Sequence, residues 1–115
     1  MTSHAVDELV VLQPSGNFIE GATCDELEHE LSLLARQGRR VIVDLSRARV
    51  LTAHCLGLLA RAQQLASANG GGVALCGADG PQRWLLDVTH LAGTLPLFGS
   101  EGEAVAHLNA RRAVA

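Results

Sequence analysis

Lysine and tyrosine are absent from this sequence, and aromatic residues make up only 3% of it. All nine basic residues are therefore arginines, scattered along the chain. No basic stripe of the kind that tracks a nucleic-acid backbone is present, and base-stacking platforms have almost nothing to be built from. No apolar run reaches membrane-spanning length, so no direct membrane insertion is expected. The opening stretch, residues 1–8, lacks the basic start and apolar centre of a secretory signal, which predicts a cytoplasmic protein. Cysteine occurs three times, an odd number at wide spacing, which fits reduced thiols and not a disulfide framework. There is no internal repeat. With 115 residues and a net charge of −3, the chain is expected to be one domain with a single core.

What is present is organised around residues 40–70. Val41, Ile42, Val43 and Leu45 form a short apolar run rich in β-branched residues, which predicts a buried strand interrupted by Asp44 and Ser46. Val50 and Leu51 return to the core. Thr52 stands where a helix N-cap would stand. Beyond it, Cys55, Leu58, Leu59, Ala62, Leu65 and Ala66 recur at three-and-four spacing, the mark of an amphipathic helix, and Asn69-Gly70 ends it.

The flanks repeat the alternation. Leu9 to Leu12 predicts a strand, with a short strand at Ala5-Val6 and a turn at Asp7-Glu8 before it. A turn at Pro14–Asn17 leads to the apolar step Phe18-Ile19. Thr23 to Glu26 has the pattern of a capping box, opening a helix with Cys24, Leu27, Leu31, Leu34 and Ala35 inward and Gly38 at its end. Val73 to Cys76 predicts another buried strand. Pro81 suits a first helical turn, and Trp84, Leu85 and Val88 are expected to pack inward from that helix. Leu95 to Phe98 predicts a strand that Pro96 confines to an edge. Ser100 to Glu103 is a second capping box, with Ala104, Val105 and Leu108 inward. The core spans about residues 9–108, and residues 111–115 are expected to fray. Short strands alternating with helices predict an α/β domain with a mixed sheet of four to five strands and about four helices.

The run from Val41 to Leu59 resembles the central signature of the STAS family, the domain of anti-sigma factor antagonists. Asp44-Leu45-Ser46 matches its Asp-Leu-Ser directly, and Leu56-Gly57 with Leu59 matches the end of its Asp-Ser-Ser-Gly-Leu-Gly helix start. Gly70 to Gly77 and Leu95 to Phe98 resemble later parts of the family pattern, so the resemblance spans roughly Leu9 to Leu108. It implies a single STAS-like domain that works as a non-enzymatic interaction module, binding an anti-sigma factor or a related regulatory kinase or scaffold protein. Docking would run through residues 49–58, with Arg49, Thr52, Ala53, His54, Leu56 and Gly57 as the contact set. The phosphorylatable members carry an aspartate and then a serine where this chain has Thr52 and Ala53. Their second aspartate, which closes a Gly-x-x-Asp segment, is matched here by Ile19, with Glu20 one residue later. The usual phosphoacceptor is therefore missing. An alternative role within the same family is an accessory subunit of a larger assembly, such as a lipid-transport ATPase complex or a stress-sensing scaffold. A homodimer is compatible with either role.

Other chemistry is thinly represented. Thr52 reads first as an N-cap and second as a phosphoacceptor at a helix start. His54 and Cys55 are adjacent, but neighbours on a helix diverge, and Cys55 lies on the apolar stripe, so a redox or catalytic pair is not expected. His4, His29, His54, His90 and His107 are too scattered for a metal site. The glycine runs at residues 70–72 and 77–80 lack the partners of a phosphate loop or dinucleotide fingerprint. No cofactor and no catalytic constellation are expected. The acidic side of the first long helix (Asp25, Glu26, Glu28, Glu30) reads as a solvated face, and Leu33 stands off its buried stripe.

Overall fold

The structure, a computed structural model, describes residues 2–6, 9–14, 16–18, 22–51, 53–78, 80–88 and 95–114. In chain order its elements are β1 (Thr2–Val6), β2 (Leu9–Gln13), β3 (Gly16–Phe18), α1 (Ala22–Arg36), β4 (Arg40–Asp44), β5 (Ala48–Leu51), α2 (Ala53–Ala68), β6 (Gly72–Cys76), α3 (Gly80–Val88), β7 (Leu97–Phe98) and α4 (Glu101–Val114). Five strands form one mixed sheet in the order β1-β2-β4-β6-β7. β1 is antiparallel to β2, and the other neighbours are parallel. β3 and β5 pair separately as a two-stranded parallel sheet.

The period-2 alternation of the strands divides the core. Val41 and Val43 of β4, Val73 and Leu75 of β6 and Leu12 of β2 point into the larger cluster, with Leu27, Leu31 and Ala35 of α1 and Cys55, Leu59 and Ala66 of α2. Ile42, Ala74, Cys76, Leu9 and Val11 point to the other face, where Ala104 and Leu108 of α4 cover them. β4 is thus interior, and β7 lies at an edge with Pro96 just before it, both as the sequence predicts. Pro96 loses nothing there: its carbonyl accepts a bond from the Leu75 amide at 2.8 Å.

The ends of α1 and α2 press against each other. At α1, Gly38 N–H donates to the Ala35 carbonyl and Arg39 N–H to the Leu34 carbonyl; at α2, Gly70 donates to Ser67 and Gly71 to Ala66. Each end is a Schellman closure with a left-handed glycine, at φ 68° for Gly38 and 88° for Gly70. A Cβ on Gly38 would also lie 2.1 Å from the Asn69 carbonyl oxygen, so only glycine fits that crossing.

The structure corrects several local expectations. β3 and β5 are strands, although the sequence predicts only an apolar step at Phe18 and a return to the core at Val50. The turn residues Asp7 and Glu8, and Ile19 of the apolar step, lie outside the described residues. α1 begins at Ala22, so Thr23 is already a helical residue and not the N-cap. On α3 the buried residues are Gln82 and Leu86, while Trp84 and Val88 stand 65% and 47% exposed. Leu65 of α2 is 39% exposed and not part of the core. α4 continues as helix through Arg111 to Val114, over the stretch expected to fray. The Ser100–Glu103 box is present in modified form: the Ser100 hydroxyl accepts from Glu103 N–H at 3.3 Å, and the Glu103 carboxylate accepts from Gly99 N–H at 3.2 Å, one residue earlier than predicted.

Candidate functional site at the start of the second long helix

The site region begins where β2 and β4 separate. Their last residues, Gln13 and Asp44, are joined by a 2.9 Å bond from Gln13 Nε2 to Asp44 Oδ2. The other carboxylate oxygen accepts the Ser46 amide at 2.9 Å, an Asx turn that swings the chain out of the main sheet. Leu45 N–H still donates to the Cys76 carbonyl at 2.8 Å, and Ala48 N–H closes the turn onto the Leu45 carbonyl. Gly77, at φ 72°, presses against this turn: a Cβ there would lie 2.7 Å from Asp44 Oδ1. The Asp44 carboxylate thus braces this turn, with Ser46 taking part through its backbone amide.

Beyond the brace the chain runs through β5 beside β3, with Phe18 opposite Leu51. The two strand ends lie side by side, so α1 and α2 start from neighbouring points. α2 begins at Ala53, directly after Thr52, which lies outside the described residues, as do Ile19 and Glu20. Arg49 sits within β5 and Ala53 opens α2. His54 is exposed. Gly57 is half-buried, and a Cβ on it would meet nothing within 4 Å. Leu56, by contrast, is wholly buried and belongs to the core, so its side chain cannot join the predicted contact set. The first turn of α2 carries no acidic residue to offset the positive end of the helix dipole.

Gln82, which its sequence context does not mark as inward, anchors this region. It is 3% exposed, and its Nε2 donates to the Ala48 carbonyl at 2.9 Å, tying α3 to the start of β5. Its four-residue spacing from buried Leu86 was the available signal. Gln63 does similar work for α2, its side-chain oxygen accepting from the Val73 amide.

Cys55 and Cys76 are both buried thiols. Burial, and secondarily the carboxylates of Asp44 and Glu101, push the Cys76 thiol up to about 12. Among the described residues, no three His, Cys, Asp or Glu side chains converge as a metal site would need; His90 lies outside those residues. His4 instead pairs with Glu101 at 2.7 Å, and the His107 ring packs against Phe98 at 4.9 Å between centroids. Among the described residues no helix is long and apolar enough to cross a membrane.

Known proteins of the same shape are numerous. An anti-sigma factor antagonist from Mycobacterium paratuberculosis superposes with a TM-score of 0.81 at 24% identity, covering 94% of this chain and 92% of its own. A proposed anti-sigma factor antagonist from Thermotoga maritima gives 0.82 at 17% identity, over 94% and 93% of the two chains. The Bacillus cell-fate determinant SpoIIAA, in its phosphorylated form, gives 0.70 at 18% identity, over 92% and 96%. Among curated proteins the sequence has no match. The STAS domain model matches residues 2–104, nearly the whole chain. With the five-stranded mixed sheet and four helices already described, that match establishes that this chain belongs to the STAS family.

Proposed function

We propose that this chain is a non-enzymatic, cytoplasmic interaction module that docks on an anti-sigma factor or related regulatory kinase through the ridge at the start of α2. The observation that carries this reading is Gly57. Glycine inside a helix costs roughly 1 kcal/mol relative to alanine, yet among the described residues no neighbour requires it, since a Cβ there would meet nothing within 4 Å. A bare helix backbone beside exposed His54 lets another molecule approach more closely than any side chain would allow. Arg49, Thr52 and Ala53 lie along the same stretch of chain. Ala53 has no hydroxyl, so the module binds without the usual serine switch, and the state of the partner sets the outcome. Titration calorimetry against each anti-sigma-type kinase encoded in the same genome tests this. Gly57→Gln should weaken binding by about tenfold or more. No binding to any of them, or an unchanged affinity in the variant, overturns the reading.

Ala53 also favours a second reading, an accessory subunit of a larger assembly in which no phospho-switch is needed. Native mass measurement of the protein purified from its own cells separates the two. A stable stoichiometric complex with transporter or scaffold subunits supports the second; a reversible pair with a kinase-type protein supports the first.

A further inference from the structure

Between α1 and α2 the surface forms a shallow groove lined by Glu28, Ser32, Leu58, Arg61, Ala62 and Leu65. Its floor is apolar: Leu58 and Ala62 are 4% and 7% exposed and hold the bottom. Leu65 stands 39% exposed at its edge. The four α2 residues fall at positions 58, 61, 62 and 65, one face over two turns, so the groove runs along the helices and not across them. Its walls carry opposite charge. Glu28 belongs to a helix whose solvent side also exposes Asp25, Glu26 and Glu30, while Arg61 is the cation of the α2 wall. Among the described residues, neither Glu28 nor Arg61 is held in an ion pair. An apolar floor between one anionic and one cationic wall is complementary to a helix whose apolar ridge is flanked by a cation on one side and an anion on the other.

We infer that the α1/α2 groove seats an amphipathic helix of the docking partner, with an apolar residue over Leu58 and Leu65, a Lys or Arg against Glu28 and an Asp or Glu against Arg61. The inference rests on the proposed docking role in taking the occupant to be part of that partner, and the groove continues along α2 from the ridge at His54 and Gly57. These two charges act mainly as selectors. Exposed pairs contribute little individually but disfavour a partner of the wrong charge pattern.

The probes are three stapled synthetic helices that share one leucine ridge and differ only in its flanks: one cationic and one anionic, both cationic, or both anionic. Binding to the isotope-labelled full chain is followed by amide chemical shifts. The mixed-flank peptide should bind tightest, by about fivefold to tenfold over the others, with shifts confined to residues 28–32 and 58–65. Reversing a peptide end for end exchanges its flanks, so a mixed-flank peptide always has one binding direction that matches Glu28 and Arg61, and the ranking does not depend on which direction that is. Glu28→Lys should transfer the preference to the doubly anionic peptide, and Arg61→Glu to the doubly cationic one. Leu65→Asp, at an exposed position, should abolish binding while thermal unfolding stays near that of the parent. Should Leu65→Asp unfold, the two charge variants still decide the question.

Equal binding of all three peptides, shifts lying elsewhere, or self-association of the free chain through this face in sedimentation would overturn the inference. The two proposals fail separately. If a kinase-type partner loses affinity in Gly57→Gln but not in Glu28→Lys or Leu65→Asp, the groove is not used and the docking role stands. If the peptides map to the groove while Gly57→Gln leaves every such partner unaffected, the docking ridge is wrong and the groove is not.

Discussion

The starts of α2 and α4 lie over opposite faces of the sheet and are finished in opposite ways. At α4 the chain supplies everything: the Ser100 hydroxyl takes the Glu103 amide, the Glu103 carboxylate takes the Gly99 amide, and Glu101 sits at the positive end of the dipole while binding His4. At α2 the first four residues are Ala53, His54, Cys55 and Leu56, with no carboxylate among them, and the next is a glycine with open space beside it. One helix start is completed from within, as a structural end should be. At the other, among the described residues, the first turn offers no carboxylate of its own. That contrast is why the docking proposal is directed at the start of α2.

The most severe way to break the comparison is to remove the platform both helices share. Val43 is wholly buried on the interior strand β4. Val43→Asp would bury an unpaired charge and should cost more than about 3 kcal/mol, seen as a collapse of the urea midpoint. A variant that unfolds like the parent would refute the central position of β4.

The face under α4 has its own signature. Cys76 is 1% exposed there, with its thiol pushed up from 9.0 to about 12. The folded value lies above the unfolded one, so the contribution is fully present below pH 9 and is lost as pH rises toward 12. Stability should fall by about 1.4 kcal/mol per pH unit in that window. The chain has neither lysine nor tyrosine, so the side chains that most often titrate in this range are absent. Cys76→Ala should flatten it in denaturant titrations at stepped pH; an unchanged slope would mean that Cys76 ionises without unfolding.

The α4 face, β4 and the long helices were legible because their periodicities run over enough residues to be unambiguous. β3 and β5 were not: they have three and four residues, and Gly16, Asn17 and Arg49 dilute their apolar pattern. α3 spans nine residues, too short for its inward face to be fixed by spacing alone. Its apolar bulk makes Trp84 the expected core residue, yet Gln82 takes that place because the Ala48 carbonyl satisfies its amide, a contact that exists only in three dimensions. The α2 stripe is wider than the core beneath it, which leaves Leu65 at the surface. At the site, the helix start was legible from the family resemblance. That Leu56 faces inward and Gly57 faces open space depends on neighbours distant in sequence.

Two substitutions of similar size sharpen the contrast because they should act in opposite directions. Ser100→Ala removes a cap that α4 uses and should destabilise by about 1 kcal/mol without touching partner affinity. Gly57→Ala fills open space on α2 and should stabilise by up to about 1 kcal/mol while weakening docking. Paired thermal melts and binding titrations measure both. If Gly57→Ala destabilised the fold, the glycine would have a structural role and the docking ridge would lose its main support.

The smallest effect on stability, and the finest test of the α2 start, belongs to position 53. Ala53 stands in the first turn of α2, where a negative charge interacts favourably with the helix dipole. Ala53→Ser should leave both stability and docking nearly unchanged. Ala53→Asp should gain a few tenths of a kcal/mol, roughly the lower end of the dipole effect, and yet weaken binding, because a charge at the helix start repels acidic partner groups and occupies the space of the contact. Stability and affinity would then move apart, which only a functional surface produces. The rival is that Thr52, one residue earlier, has taken over as phosphoacceptor. Intact-mass measurement of the protein from its native cells, with and without Thr52→Ala, decides between them. A stoichiometric phosphate that disappears in the variant and accompanies partner release would show that the switch has moved to Thr52; unmodified protein bound to its partner would leave control with the partner.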